Sequence, residues 1–392
     1  MNKRVYLDYS ATTPMKQEVL DAMMPYFNVS FGNPSSIYTY GRESKGAIDK
    51  ARDIIAKSLN SSPDEIFFTA GGSESDNWAV KGIAYANRSK GKHIITTNVE
   101  HHAVLHTCEY LEKEGYEVTY LSVDEYGLIS IDQLKAAIRP DTILITIMFA
   151  NNEIGTIQPI KEIGQIARNN NVYFHTDAVQ AYGNMKIDVN ELGIDLMSVS
   201  AHKLYGPKGT GALYIKKGVK IHQLIHGGGQ EKRRRAGTEN VPGIVGFAKA
   251  VQLAHENLED HIKHITSLRD KLITGLKEKI QYLKLNGHPT KRLPGNVNYS
   301  IEFVEGESLL LSLDMVGIAC SSGSACTSGS LDPSHVLMAI GLTHEVAHGS
   351  LRLTVGDFTS EEDIDYVIEK LPPIVEKLRQ MSPLYEKVKG GN

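Results

Sequence analysis

From about residue 65 to residue 215, short apolar runs alternate with segments of helical periodicity, and this alternation restricts the fold more than any other feature. The run at 143–148 (ILITIM) shows no regular polar alternation, which is typical of a strand buried on both faces. Between this run and the next one, at 172–176, Ile160, Ile163 and Ile166 mark one face of a helix. Strands that alternate with helices predict an α/β fold with a mostly parallel sheet and helices on both faces.

After about residue 240 the pattern changes. Residues 241–281 predict a long helical region with a break or bend, and residues 296–303 predict a strand. The large domain is therefore expected over 15–260, and a smaller α+β domain over 1–14 and 261–392.

Near the end of the chain, Thr359 and Glu362 have the spacing of a capping box at a helix start. The sequence predicts that this helix ends before Pro372 and Pro373, since proline interrupts the helical hydrogen bonds.

The totals exclude several functional classes. A net charge of −4 gives no general attraction to nucleic acid, and we expect no stable nucleic acid binding. No stretch reaches about 18 uncharged apolar residues, so no membrane span is expected, and residues 1–10 show no apolar leader. Three cysteines in 392 residues argue against a disulfide framework and favour a reducing, cytoplasmic location.

The segment 68–73 (FTAGGS) leads from an apolar run through two glycines into a helix. Glycines allow close backbone approach, and a helix N-terminus offers unpaired N–H groups, so Gly72 and Ser73 are candidate phosphate contacts. An ordinary tight turn between strand and helix is the alternative.

A second polar segment follows the run at 172–176. Asp177 is delivered to the carboxyl end of a strand, the edge at which open α/β sheets bind ligands. A carboxylate there can pair with the protonated pyridine nitrogen of pyridoxal phosphate (PLP), and Gln180 is close enough to contact the same ring. The alternative for Asp177 is a helix N-cap.

The third segment is 198–203 (SVSAHK), again at the end of an apolar run. A partly desolvated Lys203 can form a Schiff base, with Ser200 and His202 as further phosphate contacts. A lone lysine is usually a solvated surface charge. The order of the three segments is what a PLP site of the aminotransferase type requires.

The segment 319–330 is rich in small polar residues and contains two of the three cysteines. Cys326 stands in the middle and is the candidate reactive thiol. Cys320 ends an apolar run and Cys108 falls in a predicted helix, so packing is expected for both. The cysteine spacing is not a zinc pattern, and His222 and His226 have no evident third ligand, so no metal site is expected.

Two further signals are weaker. His101 begins a helical stretch and could cover a flat cofactor or simply start the helix. Arg352 stands in a strand-like segment, where it could bind a substrate carboxylate bidentately or form a structural salt bridge.

Taken together, these segments resemble the NifS/IscS-type (group I) cysteine desulfurases, a branch of the class V aminotransferases. The motifs extend over nearly the whole chain: LDYSATTP at 7–14, FGNPSS at 31–36, GGSESDN at 71–77, EHHAVL at 100–105, NNEIGTIQP at 151–159, SAHKLYGPKGTGALY at 200–214, RRRAGTEN at 233–240 and SSGSACTSGSLDPSHVL at 321–337. The resemblance implies the fold of type I PLP enzymes, like that of aspartate aminotransferase, and a homodimer.

The resemblance also implies roles for single residues. Lys203 would hold PLP and move protons, Asp177 and Gln180 would contact the ring, and His101 would stack on it. The implied phosphate contacts are Gly72, Ser73, Ser200, His202 and Thr238, the last from the partner subunit.

For the substrate, the resemblance implies that Asn152, which also borders the cofactor, and Arg352 bind the carboxylate of L-cysteine. Cys326 would take the sulfur as a persulfide and leave alanine. The sulfur would pass to an iron–sulfur scaffold or another acceptor protein. Other PLP activities, such as that of a selenocysteine lyase or an aminotransferase, and a non-catalytic scaffold are the rival interpretations.

Overall fold

The strands of the central sheet carry the polar segments to one edge. The computed structural model describes residues 3–322 and 333–389, with side chains as far as 386. Its strands are β1 (Val5–Tyr6), β2 (Ile66–Thr69), β3 (His93–Thr97), β4 (Glu117–Leu121), β5 (Thr142–Thr146), β6 (Tyr173–Asp177), β7 (Leu196–Ser200), β8 (Gly211–Ile215), β9 (Leu283–Leu285), β10 (Asn296–Ile301), β11 (Ile318–Ala319) and β12 (Ser350–Thr354).

Helices surround this sheet and a second, smaller one. They are α1 (Gln17–Met23), α2 (Pro25–Asn28), α3 (Thr39–Ser58), α4 (Gly72–Asn87), α5 (His102–Lys113), α6 (Ile131–Ala137), α7 (Ile160–Asn169), α8 (Gln230–Arg233), α9 (Val241–Glu256), α10 (Leu258–Lys279), α11 (Gly306–Met315), α12 (His335–Ala339), α13 (His344–His348), α14 (Glu361–Gln380) and α15 (Pro383–Lys389). Over the described ranges, no helix is both long enough and apolar enough to cross a membrane.

The central sheet has the strand order β2-β8-β7-β6-β5-β3-β4. All neighbours from β7 to β4 are parallel, while β8 is antiparallel to both β7 and β2. Because two reversals cancel, β2 runs in the same direction as β7. The carboxyl ends of β2, β3, β5, β6 and β7 therefore meet at one edge, and the predicted mostly parallel α/β sheet is confirmed.

Alternate strand residues pack on opposite faces of this sheet. Ile145 and Phe174 face one core with helices α3, α7 and α9, whereas Leu144 and Leu196 face the other with α4 and α5. Both faces are thus covered, which explains why these strands read as continuous apolar runs.

A separate core lies in the C-terminal part. There the antiparallel sheet β12-β10-β9 packs against α10, α11 and α14. The N-terminal segment joins this unit, since β1 pairs with β11 and Leu7 is fully buried in its core. The boundaries at residues 14 and 260 stay a prediction. The expected break in the long helical region is at Asn257, between α9 and α10.

The predicted end of the last long helix is wrong. Helix α14 continues through Pro372 and Pro373 to Gln380, and its capping box is formed by Ser360 and Asp363 rather than by Thr359 and Glu362. Leu371 and Val375, on either side of the prolines, are buried in the C-terminal core. The packing of these side chains compensates for the backbone hydrogen bonds that the prolines remove.

A buried ion pair connects Glu231, in the segment after β8, to helix α3 and to strand β2 at the edge of the sheet. Arg52 of α3 donates to both carboxylate oxygens of Glu231, at 2.8 and 2.7 Å, and the side chains are 6% and 3% exposed. The carboxylate also accepts the backbone N–H of Phe68 at 2.9 Å. Glu231 has a left-handed backbone (φ 45°), so these contacts also hold an unfavourable conformation.

We predict that Glu231→Ala lowers the free energy of unfolding by about 3–5 kcal/mol, because Arg52 is left as a buried cation without its counter-ion. Glu191→Ala is the control. Glu191 pairs with Lys161 at 2.8 Å, but both side chains are more than 60% exposed, and its loss should cost less than about 1 kcal/mol. Urea unfolding measures both variants, and equal losses would contradict the role given to the buried pair.

Candidate active site

A cavity of about 290 Å³ lies at the edge where the strand ends meet. It brings together most of the residues singled out from the sequence: Gly72, Ser73, His101, Asn152, Asp177, Gln180, Ser200, His202, Lys203 and Arg352. These residues come from the ends of five strands and from the C-terminal unit, so the pocket requires both parts of the chain.

Two predicted site residues need separate treatment, because one lies outside this pocket and the other lies outside the described residues. Thr238 is exposed and does not line it. Cys326 lies outside the described residues, so its placement relative to the pocket stays a prediction.

The glycine turn forms one wall of the cavity. Gly71 has a positive φ of 151°, and a Cβ on Gly72 would lie only 2.7 Å from Cγ2 of Val179, so both positions favour glycine. Helix α4 starts here and is 16 residues long, so the N-terminus of a full helix faces the pocket. Ser200 and His202 lie beside it. Burial, together with the charges of Lys203 and Lys208, lowers the pKa of His202 to about 4, so its ring is neutral.

Asp177 is the last residue of β6 and is buried. Its Oδ1 accepts the N–H of Val179 at 2.9 Å, and turns rather than a helix follow it, so the N-cap alternative is wrong. Burial raises the pKa of the Asp177 carboxyl, while the charges of His101 and Lys203 and the N–H of Val179 oppose that rise. A cationic partner in the pocket would therefore stabilise its ionised form.

Lys203 follows β7 in a short 3₁₀ turn, Ala201–Lys203. Its Nζ donates to the carbonyl oxygen of Ser10 and, at 2.8 Å, to that of Ala11. The side-chain amide of Gln180 donates to the same Ser10 carbonyl at 2.9 Å. The N-terminal segment thus forms part of the pocket. Because Ser10 and Ala11 act there through main-chain atoms, their residue types gave no signal of this role.

His101 is both a helix cap and a pocket residue, so its two interpretations are compatible. Its Nδ1 accepts the backbone N–H of Ala103 at 3.1 Å at the start of α5. An accepting Nδ1 carries no proton, so the neutral ring carries its proton on Nε2. Burial lowers the pKa of His101, which favours this neutral form.

The comparisons with known proteins agree with this geometry. Residues 5–367 match the family model described as aminotransferase class-V. The chain belongs to this family. It is 62% identical over 386 residues to the cysteine desulfurase IscS of Methanosarcina thermophila, with 98% of this chain and 95% of that protein covered.

Two further relatives place the chain on the cysteine desulfurase branch of the class-V aminotransferases. The cysteine desulfurase IscS of Clostridium botulinum is 60% identical over 388 residues, 98% of each chain. A solved structure titled NifS-like protein superposes with a TM-score of 0.90 at 39% identity, over 96% of this chain and 100% of that one. The resemblance and the fold predicted from the motifs are confirmed.

Class-V aminotransferases use PLP, and the pocket residues fit this cofactor. A glycine turn at a helix N-terminus suits a phosphate, a lysine suits an aldehyde, and a buried carboxylate suits a pyridinium nitrogen. Asp76 also lines the pocket, and its Oδ1 makes no hydrogen bond among the described residues but lies 3.7 Å from Nε2 of the buried His175. No local sequence signal marked Asp76 as a pocket residue.

Glu100, which precedes the pocket residue His101 in the chain, has a buried carboxyl group. One oxygen accepts from Thr97 Oγ1 at 2.8 Å and from the N–H of Met148 at 2.9 Å, while the other has no described partner. Burial raises the pKa of Glu100 to about 8. The folded protein therefore keeps a proton on Glu100 at a pH where the unfolded chain releases it.

This proton predicts a pH dependence of stability. Since the folded pKa exceeds the unfolded one, the stability contribution is complete below about pH 4.5 and is lost as the pH rises towards about 8. Glu100→Gln cannot ionise, so its stability relative to the wild type should increase by about 2–3 kcal/mol between about pH 5.5 and about pH 7.5.

Urea unfolding of both cofactor-loaded proteins at the two pH values measures this difference. Glu191→Gln, at an exposed position, is the control and should show no such change. A pH-independent difference for Glu100→Gln would show that Glu100 ionises normally in the folded state.

Proposed function

We propose that this chain is a cysteine desulfurase that converts L-cysteine to L-alanine and holds the sulfur as a persulfide on Cys326. The observation that carries the proposal is that Lys203, Asp177 and Arg352 face one pocket at the carboxyl edge of the sheet. The reaction balances without an outside oxidant: the C–S bond of the substrate breaks, an S–S bond forms on the enzyme thiol, and the substrate Cβ receives a proton.

The pocket residues divide the binding of cofactor and substrate among them. When bound, PLP supplies an aldehyde for the substrate amine and a ring that withdraws electrons from Cα. The start of α4, with Ser73, Ser200 and the neutral ring of His202, would bind the phosphate. Asp177 would pair with the ring nitrogen and Gln180 with the ring hydroxyl.

Lys203 and His101 would move the protons. The amine of Lys203 would take a proton from Cα, and the carbonyl oxygens of Ser10 and Ala11 would stabilise its ammonium form, as they do in this structure. His101 has its Nδ1 occupied by Ala103, so Nε2 is the ring atom that can donate a proton in the pocket.

Cys326 is proposed as the sulfur acceptor on the sequence and on the contrast with Cys320. Cys320 follows β11 and packs partly against the C-terminal core. Burial, with smaller contributions from Asp8 and Asp314, raises the pKa of Cys320 to about 12, so it holds almost no thiolate at neutral pH. Cys108, in helix α5, is fully buried, and this burial likewise raises the pKa of its thiol.

We expect purified wild-type protein with L-cysteine to yield alanine and a protein persulfide in equal amounts. With dithiothreitol added to reduce the persulfide and release sulfide, Cys326→Ser should keep the cofactor and still bind L-cysteine, yet release less than about 1% of the wild-type sulfide, because the attacking thiolate is missing. Cys320→Ser is the matched control and should keep most of the activity. Mass spectrometry after alkylation during turnover locates the persulfide. A persulfide mainly on Cys320 would show that the wrong thiol was assigned, and no alanine from the wild type would refute the desulfurase function.

We further propose that the active unit is a homodimer and that Thr238 contacts the phosphate in the partner subunit. Thr238 is exposed and stands outside its own pocket, which supports this assignment. Large apolar side chains are also exposed on the segment from α2 to α3: Phe27, Val29, Phe31, Ile37, Tyr38 and Tyr40. A set of this kind on one segment is typical of a subunit contact.

Ile37→Asp should shift the protein to monomers and lower its activity at dilute concentration, because Ile37 is 89% exposed and a charge there would be buried in the contact. Met381→Asp, at a position 74% exposed beyond the end of α14, is the control and should stay dimeric. Light scattering at the assay concentration gives the mass. A wild type that is fully active as a monomer would overturn the proposal.

The sulfur would then pass to an acceptor protein of iron–sulfur cluster assembly or of thiolation. We propose a reducing, cytoplasmic setting for this transfer, since Cys326 must return to a free thiol after each turnover and the acceptor must also offer a free thiol.

A further inference from the structure

The guanidinium of Arg352 is already paired before any substrate carboxylate reaches it. Nη2 donates to Oδ1 of Asp8 at 3.0 Å, and Nη1 donates to the main-chain carbonyl of Asn152 at 3.1 Å. Nε is buried and has no partner among the described residues. The side chain of Arg352 is 4% exposed and that of Asp8 is 20% exposed, so the ion pair lies mostly out of water.

The backbone places Asp8 beside this arginine. Asp8 bridges to Thr354, two residues after Arg352, at the edge of β12. The N–H of Thr354 donates to the carbonyl of Leu7 at 2.7 Å, and Oγ1 of Thr354 accepts the N–H of Ser10 at 3.0 Å. The carboxylate is therefore held by the segment that also provides the Ser10 and Ala11 carbonyls to Lys203.

We propose that Asp8 is a positioning residue that sets the affinity of the pocket for the substrate carboxylate: it orients Arg352 and serves as its counter-ion until a carboxylate arrives. This inference rests on the proposed function, in which Arg352 binds that carboxylate. Asp8 acts only through Arg352 and takes no part in the bond changes.

Two effects of Asp8 on carboxylate binding oppose each other. Orientation of the guanidinium favours binding, but a substrate carboxylate on the same guanidinium is repelled by the charge of Asp8. Without that charge, Arg352 would have no carboxylate within salt-bridge distance among the described residues and would feel only the buried Glu153 from farther away, so an incoming carboxylate would gain further from pairing with it.

The electrostatic effect should dominate in Asp8→Asn. Asparagine keeps an oxygen that accepts from Nη2, the contact with the Asn152 carbonyl remains, and Arg352 stays enclosed, so the orientation is largely preserved. At an effective dielectric constant of about 20, like charges on one guanidinium repel strongly enough to weaken binding by at least about tenfold. Asp8 therefore weakens the binding of substrate and product alike, and it helps L-alanine, which has the same carboxylate, to leave the pocket.

The test compares cofactor-loaded wild type, Asp8→Asn, Arg352→Gln and the double variant. L-alanine is the probe, and its dissociation constant is measured from the absorbance change of the bound cofactor and by calorimetry. Asp8→Asn should lower this constant about tenfold and lower KM for L-cysteine, without raising kcat. Arg352→Gln should raise the constant, and Asp8→Asn should have no further effect in the Arg352→Gln background, because the two residues act through one another.

Lys3→Ala is the matched control. Lys3 belongs to the same N-terminal segment and pairs with Asp363 at 3.1 Å, away from the pocket. Its removal loosens the segment without changing the charge beside Arg352, so the dissociation constant for L-alanine should stay within about twofold. If Asp8→Asn fails to fold, Asp8→Ser replaces it, since serine also removes the charge and keeps a polar, though shorter, side chain.

The outcomes separate the inference from the function on which it rests. If Asp8→Asn binds L-alanine as tightly as the wild type or more weakly, while Arg352→Gln still weakens binding, the proposed role of Asp8 is overturned and the proposed function stands. A similar decrease of the dissociation constant for L-alanine in Lys3→Ala also overturns the proposed role of Asp8, because loosening of the N-terminal segment would then explain the tighter binding. An Arg352→Gln variant that binds L-alanine normally refutes the carboxylate role of Arg352 in the proposed function.

Discussion

The direction of the strands is the constraint on which the site depends. Parallel strands deliver their carboxyl ends to one edge, so Asp177 after β6 and Lys203 after β7 come together without any local signal between them. Strand β8 is antiparallel to both of its neighbours, and this double reversal returns the end of β2, with its glycine turn, to the same edge. A chain in which β2 ran the other way would place Gly72 and Ser73 at the opposite edge of the sheet, away from Asp177 and Lys203.

Burial then gives the collected groups their chemistry. The same low dielectric that keeps His202 and His101 neutral favours the protonated form of Glu100. Cationic groups are held by acceptors of the N-terminal segment: Lys203 by main-chain carbonyls and Arg352 by the Asp8 carboxylate. This segment packs with the C-terminal core through Leu7, so it connects Lys203 and Arg352 to one structural element.

The prediction of α14 shows where local patterns fail. A proline pair is a strong local signal for a helix end, yet α14 continues through Pro372 and Pro373 because the side chains around them are buried. The same limit applies at Asp177. Its sequence context suits a helix cap, but turns follow it, and its carboxylate lies in the pocket wall.

The sequence by itself determined the α/β class, the family and most of the candidate side chains at the pocket, because apolar periodicity, motifs and reactive residue types are written directly in the order of the amino acids. The tertiary structure alone decided which groups act through main-chain atoms or through partners distant in the chain. The carbonyls of Ser10 and Ala11, the pairing of Asp8 with Arg352 across 344 residues, and the buried Asp76 and Glu100 belong to this second group. The reason is physical: every residue has a carbonyl and carboxylates are common, so their role depends on burial and on neighbours that only the folded chain supplies.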